Sequence, residues 1–226
     1  MESFAHNLQM LSVQFVPFMM AVIFHEYAHG LMAERFGDTT AKDAGRLTLN
    51  PLPHIDWMGT VLFPLINMLS GLNILFGWAK PVPIDPTRFK TYRSGLFWVS
   101  FAGPLMNFLL AFVSAIGFCM MVKWAPQDFY LFEPLIAMTR VSVYLNIALG
   151  IFNLIPLPPL DGSKMIESFL SYNATRTYES IAPYSFFILL GLMFTGAFQI
   201  LSAPINLLAN LMLFLAGSMF GLGGLY

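Results

Sequence analysis

The chain has 226 residues, of which 57% are hydrophobic and only 10% are charged. Since soluble domains are about one quarter charged, this composition indicates an integral membrane protein and leaves no soluble domain of useful size. The net charge of −1 gives no sign of a nucleic-acid partner, and the single cysteine, Cys119, excludes an intrachain disulfide.

Charge-poor stretches predict the membrane elements in chain order. They cover 8–33, 57–79, 94–122, 141–160 and two C-terminal spans from 180 onward, which Pro183 and Pro204 divide. We therefore expect an all-α, polytopic helical bundle of five to six membrane segments, with the lipid bilayer as its surroundings.

These segments predict one membrane domain over 1–226. Its catalytic core is expected at about 8–170, because the polar motifs described below fall there. A C-terminal helix pair is expected at about 180–222.

The basic residues predict the topology, because Lys and Arg favour the cytoplasmic side. Both the first and the second stretch are followed by basic residues, within 35–46 and 80–93. These two loops would lie on opposite sides if 57–79 crossed the bilayer. We therefore expect 57–79 to be a re-entrant or β-like segment between the first and third elements, buried in protein or lining a cavity. An ordinary sixth crossing is the alternative.

The stretch "FHEYAHG" places three ionisable side chains inside the first apolar run. His25 and His29 are four residues apart and share one helix face, and Glu26 projects to the same side. In H-E-x-x-H sites the two histidines bind zinc and the glutamate is a general base. Ionisable groups within a membrane are costly and default to a functional role.

A catalytic zinc usually has three protein ligands, and Asp161 in "NLIPLPPLDG" is the best third candidate. As an alternative or additional role, Asp161 could cap a short helix starting near Gly162. Helix rise and the break at Pro156 bring both motifs to the cytoplasmic half of the bilayer if one full crossing separates their helices. This geometry agrees with a re-entrant 57–79.

With both motifs identified, the sequence resembles the site-2 protease family of intramembrane zinc metalloproteases. The resemblance rests on "HEYAHG", "GRLTLNPLPHID", "FGWAKPVPI", "FAGPLMN" and "NLIPLPPLDG". It is closest to the minimal prokaryotic branch, which has no PDZ or CBS domain. It implies Zn²⁺ held by His25, His29 and Asp161, with Glu26 as the base. It also implies a three-helix core, a transmembrane protein or peptide substrate that must unwind, and a location in the prokaryotic cytoplasmic membrane.

Three further polar residues have open roles. Asn153 could donate a hydrogen bond to the oxyanion, or satisfy carbonyls freed by Pro156. Asn107 is expected to bond across helices, with a role beside zinc as the alternative. His54 could contact metal or substrate, although a loop-orienting role is favoured. An extended 45–56, or the Pro-rich 154–160, could hold substrate by edge pairing.

Two other functions compete with a protease. A metal-ion transporter would need polar side chains on several spans and paired repeats. A catalytically inactive relative would act as a binding partner of membrane proteins, although Glu26 and all three expected ligands are present. Gly217 and Gly221, four residues apart, leave a homo-oligomer open.

Overall fold

The computed structural model describes residues 2–63, 66 and 77–222, and this part of the chain contains helices but no β-strand. The α-helices are α1 Glu2–Arg35, α2 Thr40–Asp43, α3 Tyr92–Trp124, α4 Phe132–Asn153, α5 Asp161–Glu167, α6 Tyr172–Glu179, α7 Ala182–Phe194 and α8 Ser202–Met219. Tighter turns occupy Leu52–His54, Pro86–Arg88 and Ala197–Leu201, and Trp57–Leu62 is π-helical.

A three-helix core of α1, α3 and α4 organises the bundle, because each of these helices packs extensively against the other two. Helix α8 joins α3 and α4 from the other side. Fully buried alanines line this second interface, at 111, 115, 209 and 216. Small residues let helix backbones approach closely, which is how helices associate where lipid removes the hydrophobic driving force.

Within the described residues, three helical segments are long and apolar enough to cross a membrane: Tyr92–Trp124, Phe132–Asn153 and Ala197–Met219. The prediction of an all-helical membrane protein is thus confirmed for the described part of the chain. The number of crossings stays a prediction. Most of the expected re-entrant segment, residues 64–65 and 67–76, lies outside the described residues.

Two predicted boundaries differ from the structure for local reasons. Helix α4 starts at Phe132, not at 141, because the exposed Arg140 lies on the bundle surface and does not end the helix. It ends at Asn153, before Pro156, which cannot continue a helix. Pro104 lies inside α3 without ending it.

Residues 77–90, the return segment, run back against the end of α1. The backbone N–H of Lys90 donates to Phe36 O at 2.9 Å, and that of Asp85 donates to the Asp38 carboxylate at 2.7 Å. Asp38 is only 1% exposed and also accepts from Thr40 N at 3.0 Å. These bonds fix the return segment next to the helix that carries the histidines.

The glycine pair in the last helix is already used within the chain. Gly217 is buried in α8, and Gly221 follows the helix with a left-handed φ of 73°. The backbone N–H of Leu222 donates to Gly217 O at 2.7 Å and closes the helix end. Both glycines thus have a role within the chain, and a homo-oligomer stays a prediction.

Candidate metal centre

His25, His29 and Asp161 bring three ligand atoms to one point between α1 and the start of α5. The two Nε2 atoms are 2.9 Å apart. The Asp161 carboxylate reaches both, with Oδ2 3.1 Å from His25 Nε2 and Oδ1 3.3 Å from His29 Nε2. The prediction that H-E-x-x-H and the distant aspartate share one site agrees with this geometry.

The other ring nitrogen of each histidine fixes its tautomer. His29 Nδ1 lies 2.6 Å from Val99 O, a backbone carbonyl that can only accept, so this nitrogen carries the hydrogen. His25 Nδ1 lies 2.6 Å from Asn107 Oδ1, and Asn107 Nδ2 donates to Ala21 O at 3.2 Å. Both Nε2 atoms therefore present lone pairs to the same point.

Zinc fits this donor set. Two lone pairs 2.9 Å apart repel each other unless a cation lies between them. Tetrahedral zinc with bonds of about 2.0–2.1 Å has its ligand atoms about 3.3 Å apart, close to the separations found here. The buried Asp161 Oδ2 also accepts no hydrogen bond from the described residues. Two imidazoles and one carboxylate leave a fourth position for water or substrate.

Two glycines make room for these ligands. A Cβ on Gly103 of α3 would lie 2.6 Å from His25 Nε2 and closer still to His29 Nε2. A Cβ on Gly162 would lie 2.6 Å from Ile155 O and closer still to Leu154 O. Gly103 therefore lets the α3 backbone support the imidazoles, and Gly162 lets the start of α5 approach the end of α4.

Asp161 does not cap the helix that it begins. Helix α5 includes Asp161 as its first residue, and Leu160 occupies the cap position without a side-chain hydrogen bond. The expectation of an Asp161 cap before Gly162 is wrong by one residue. The carboxylate is turned toward the histidines, so the capping role falls away.

Glu26 lies beside this point, on the wall of a cavity. Its Oε2 accepts a hydrogen bond from Val82 N in the return segment at 2.7 Å. The cavity has a volume of about 230 Å³. Its walls come from α1, α3, α4 and the return segment: Phe18, Val22, His25, Glu26, Gly77, Trp78, Ala79, Asn107, Leu149, Phe152 and Asn153. The non-helical wall is thus 77–79, and substrate binding by 45–56 or 154–160 stays a prediction.

The three open residues have separate positions. Asn153 lines the cavity, and its Nδ2 donates to Leu149 O at 3.0 Å. Asn107 bonds across helices to Asn146 and also contacts His25 Nδ1, while its role beside zinc stays a prediction. His54 is fully buried in its turn, with Nε2 2.9 Å from Thr48 O, and it lies outside the three-ligand group.

Sequence reasoning missed Asn146, which receives a hydrogen bond from Asn107 at 3.0 Å. Asn146 is 1% exposed in the middle of α4. An amide inside an apolar run was a usable signal, because polar groups at membrane depth need partners. The Val82 N–H had no such signal, since a backbone contact leaves no trace in side-chain spacing.

Comparison with known proteins gives a result that agrees with a zinc-binding peptidase. The family model described as peptidase family M50 matches residues 121–196. The chain is similar to YwhC of Bacillus subtilis (strain 168), named as a candidate zinc metalloprotease, with 35% identity over 191 residues, 84% of this chain and 84% of YwhC. No solved structure matches the chain.

The Rip2 proteins of two mycobacteria carry the same description as YwhC. Rip2 of Mycolicibacterium smegmatis is 30% identical over 180 residues, 79% of this chain and 65% of the relative. Rip2 of Mycobacterium tuberculosis (strain H37Rv) is 30% identical over 179 residues, 77% of this chain and 62% of the relative. The chain thus spans somewhat less than two thirds of the Rip2 length.

Proposed function

Because the chain belongs to peptidase family M50, the family of site-2 zinc metalloproteases, we propose that it hydrolyses peptide bonds within or near the transmembrane segments of membrane-protein substrates. The enzyme is a zinc metalloprotease and its cofactor is Zn²⁺. The observation that carries the proposal is the convergence of two imidazole lone pairs and one carboxylate beside the cavity that Glu26 lines.

In the proposed reaction His25, His29 and Asp161 hold the metal. Bound zinc supplies Lewis acidity, which activates water and polarises the scissile carbonyl. Glu26 accepts the proton of the attacking water at its carboxylate and returns it to the leaving amine nitrogen. The Val82 N–H holds one Glu26 oxygen at 2.7 Å and so orients the carboxylate for that transfer. Asn153, on the same cavity wall, is the proposed hydrogen-bond donor to the developing oxyanion.

Helix geometry supports an unwound substrate. In an α-helix each peptide group is hydrogen-bonded within the helix and surrounded by the side chains of its own turn, which shields the scissile carbonyl from water and from Glu26. We therefore propose that a transmembrane substrate must lose helical structure locally before its peptide bond reaches Glu26.

The membrane arrangement is part of the same proposal. The site lies in the cytoplasmic half of a prokaryotic cytoplasmic membrane, and 57–79 re-enters from that side without crossing. The catalytic core at about 8–170 and the C-terminal pair at about 180–222 form one domain. Support comes from the basic residues at 35–46 and 80–93, which this topology keeps on one side.

Cleavage of defined transmembrane peptides tests the proposal. The full chain, loaded with zinc and reconstituted in vesicles, is incubated with peptides whose membrane spans contain Gly or Pro at varied depth. Products are mapped by mass spectrometry. Glu26→Gln is the matched control, since it keeps the shape and the zinc ligands but loses the base. We expect cuts inside the span in wild type and a rate lower by about 10²–10⁴ in Glu26→Gln.

Two results would count against the proposal. Cuts found only in water-exposed peptide ends would leave a protease but remove its action within the bilayer. Equal cleavage by Glu26→Gln at equal zinc content would remove Glu26 as the base.

A further inference from the structure

A buried chain of hydrogen bonds leads away from the metal centre along α3 and α4. His25 Nδ1 donates to Asn107 Oδ1 at 2.6 Å, and Asn107 Nδ2 donates to Asn146 Oδ1 at 3.0 Å. Asn146 Nδ2 donates in turn to Ser142 O at 2.9 Å. The Ser142 hydroxyl lies 2.8 Å from the Ser114 hydroxyl, which is the last group of this hydrogen-bond series. Asn107 and Asn146 are both at most 1% exposed.

We propose that Asn146 is a positioning residue for the metal centre, acting through Asn107 to keep His25 in its metal-binding tautomer. This inference rests on the proposed role of His25 as a zinc ligand. Nothing in the sequence motifs assigns a role to Asn146. This residue is neither one of the three expected metal ligands nor part of the cavity wall.

The direction of the hydrogen bonds follows from one fixed acceptor. Ser142 O is a backbone carbonyl and can only accept, so Asn146 must present its NH₂ group there. Its Oδ1 then faces Asn107 and requires the NH₂ group of that residue. The remaining atom of the Asn107 amide, Oδ1, faces His25 and requires a hydrogen on Nδ1.

A flipped Asn107 amide would have the opposite effect on the metal centre. Its NH₂ group would donate to His25 Nδ1, the imidazole hydrogen would move to Nε2, and no lone pair would remain for the metal. Two acceptors oppose this flip, Ala21 O at 3.2 Å and Asn146 Oδ1 at 3.0 Å. Asn146 Oδ1 accepts the shorter of these bonds. Of the two acceptors, a point mutation can remove Asn146 Oδ1 but not Ala21 O, because the latter is a backbone carbonyl.

The test compares zinc affinity across three variants of the full chain in detergent. Asn146→Leu keeps the side-chain size and removes the acceptor. Asn146→Asp keeps the shape, and its carboxyl group, buried among apolar helices, stays protonated and can both accept from Asn107 and donate to Ser142 O. Ser114→Ala is the matched control, because it removes the last hydrogen bond of the series and leaves both asparagine amides unchanged.

Zinc affinity is measured by competition with a chromogenic chelator, and thermal melting confirms folding. We expect about 10–100-fold weaker zinc binding in Asn146→Leu, the usual effect of losing an outer partner of a metal ligand. Asn146→Asp should stay within about threefold of wild type, and Ser114→Ala should be unchanged. Nitrogen NMR of labelled histidine in the zinc-free protein should show a fraction of His25 with its hydrogen on Nε2 in Asn146→Leu alone.

Several outcomes overturn the proposal. Unchanged zinc affinity in Asn146→Leu does so, as does weaker binding with an unchanged His25 tautomer, which would indicate packing only. If Asn146→Leu does not fold, loss of zinc affinity in the folded Asn146→Asp protein also overturns the proposal, because this variant keeps the acceptor for Asn107. A His25→Ala protein that keeps wild-type zinc affinity would instead remove His25 as a ligand, which is the failure of the proposed function.

Discussion

Adding a single methyl group at Gly103 should weaken zinc binding at the metal centre while leaving the bundle folded. In Gly103→Ala the new Cβ would lie 2.6 Å from His25 Nε2, where real Cβ contacts are at least 3.0 Å, so the imidazole must retreat by 0.4 Å or more. Metal sites tolerate ligand displacements of about 0.2 Å. We therefore expect zinc affinity to fall by about 100-fold, or about 2.7 kcal/mol. The fold should survive, because alanine is a better helix former than glycine.

The assay is zinc content by mass spectrometry after dialysis, together with chelator competition and a melting curve. Gly117→Ala is the matched control, since it makes the same change on the same helix and, among the described residues, its Cβ meets only Thr139 Cγ2, at 3.8 Å. It should keep wild-type zinc. Wild-type zinc affinity in folded Gly103→Ala would refute the reasoning, because the imidazoles could then not lie against the α3 backbone.

Three further predictions concern the surroundings of the metal. Asn107→Leu should weaken zinc binding about 10–100-fold in the chelator assay, since it removes the acceptor of a ligand imidazole. Gly59→Ala should keep zinc but slow peptide cleavage, because its Cβ would lie 2.6 Å from Trp78 Cδ1 and displace a cavity wall; equal turnover at equal zinc would contradict this. Asp38→Ala should lower the unfolding free energy by about 1–3 kcal/mol in thermal melts, since buried N–H groups lose their acceptor. The exposed Asp43→Ala should change it by less than about 0.5 kcal/mol.

Much of the metal centre could be predicted because it depends on spacing along single helices. The i, i+4 separation of His25 and His29 fixes their common face whatever the rest of the fold does. Asp161 could be added because the length of the preceding helix, α4, and the break at Pro156 limit the membrane depth that the following segment can reach. The structure agrees on both, with all three ligand atoms within 4.8 Å of one another.

The supporting residues could not be predicted in the same way, because they depend on how helices are rotated against each other. Asn107 and Asn146 meet at 3.0 Å across the α3–α4 interface, and no periodicity in either helix specifies that meeting. The physical reason for Gly103 was equally hidden. A glycine in an apolar helix suggests close packing of some kind, but only the assembled bundle identifies the two imidazoles as its neighbours.

The contact between Glu26 and the return segment explains why that stretch reads Pro81-Val82-Pro83. Proline has no backbone N–H, so Val82 offers the one N–H of the three residues, and it donates to Glu26 Oε2 at 2.7 Å. A proline also holds the residue before it in an extended conformation, which keeps the Val82 N–H directed at the carboxylate. The same stretch of backbone continues from the cavity wall at 77–79. A shift of the return segment would therefore change the shape of the cavity and release the proposed base together, while the metal ligands, held by α1, α3 and α5, would stay in place.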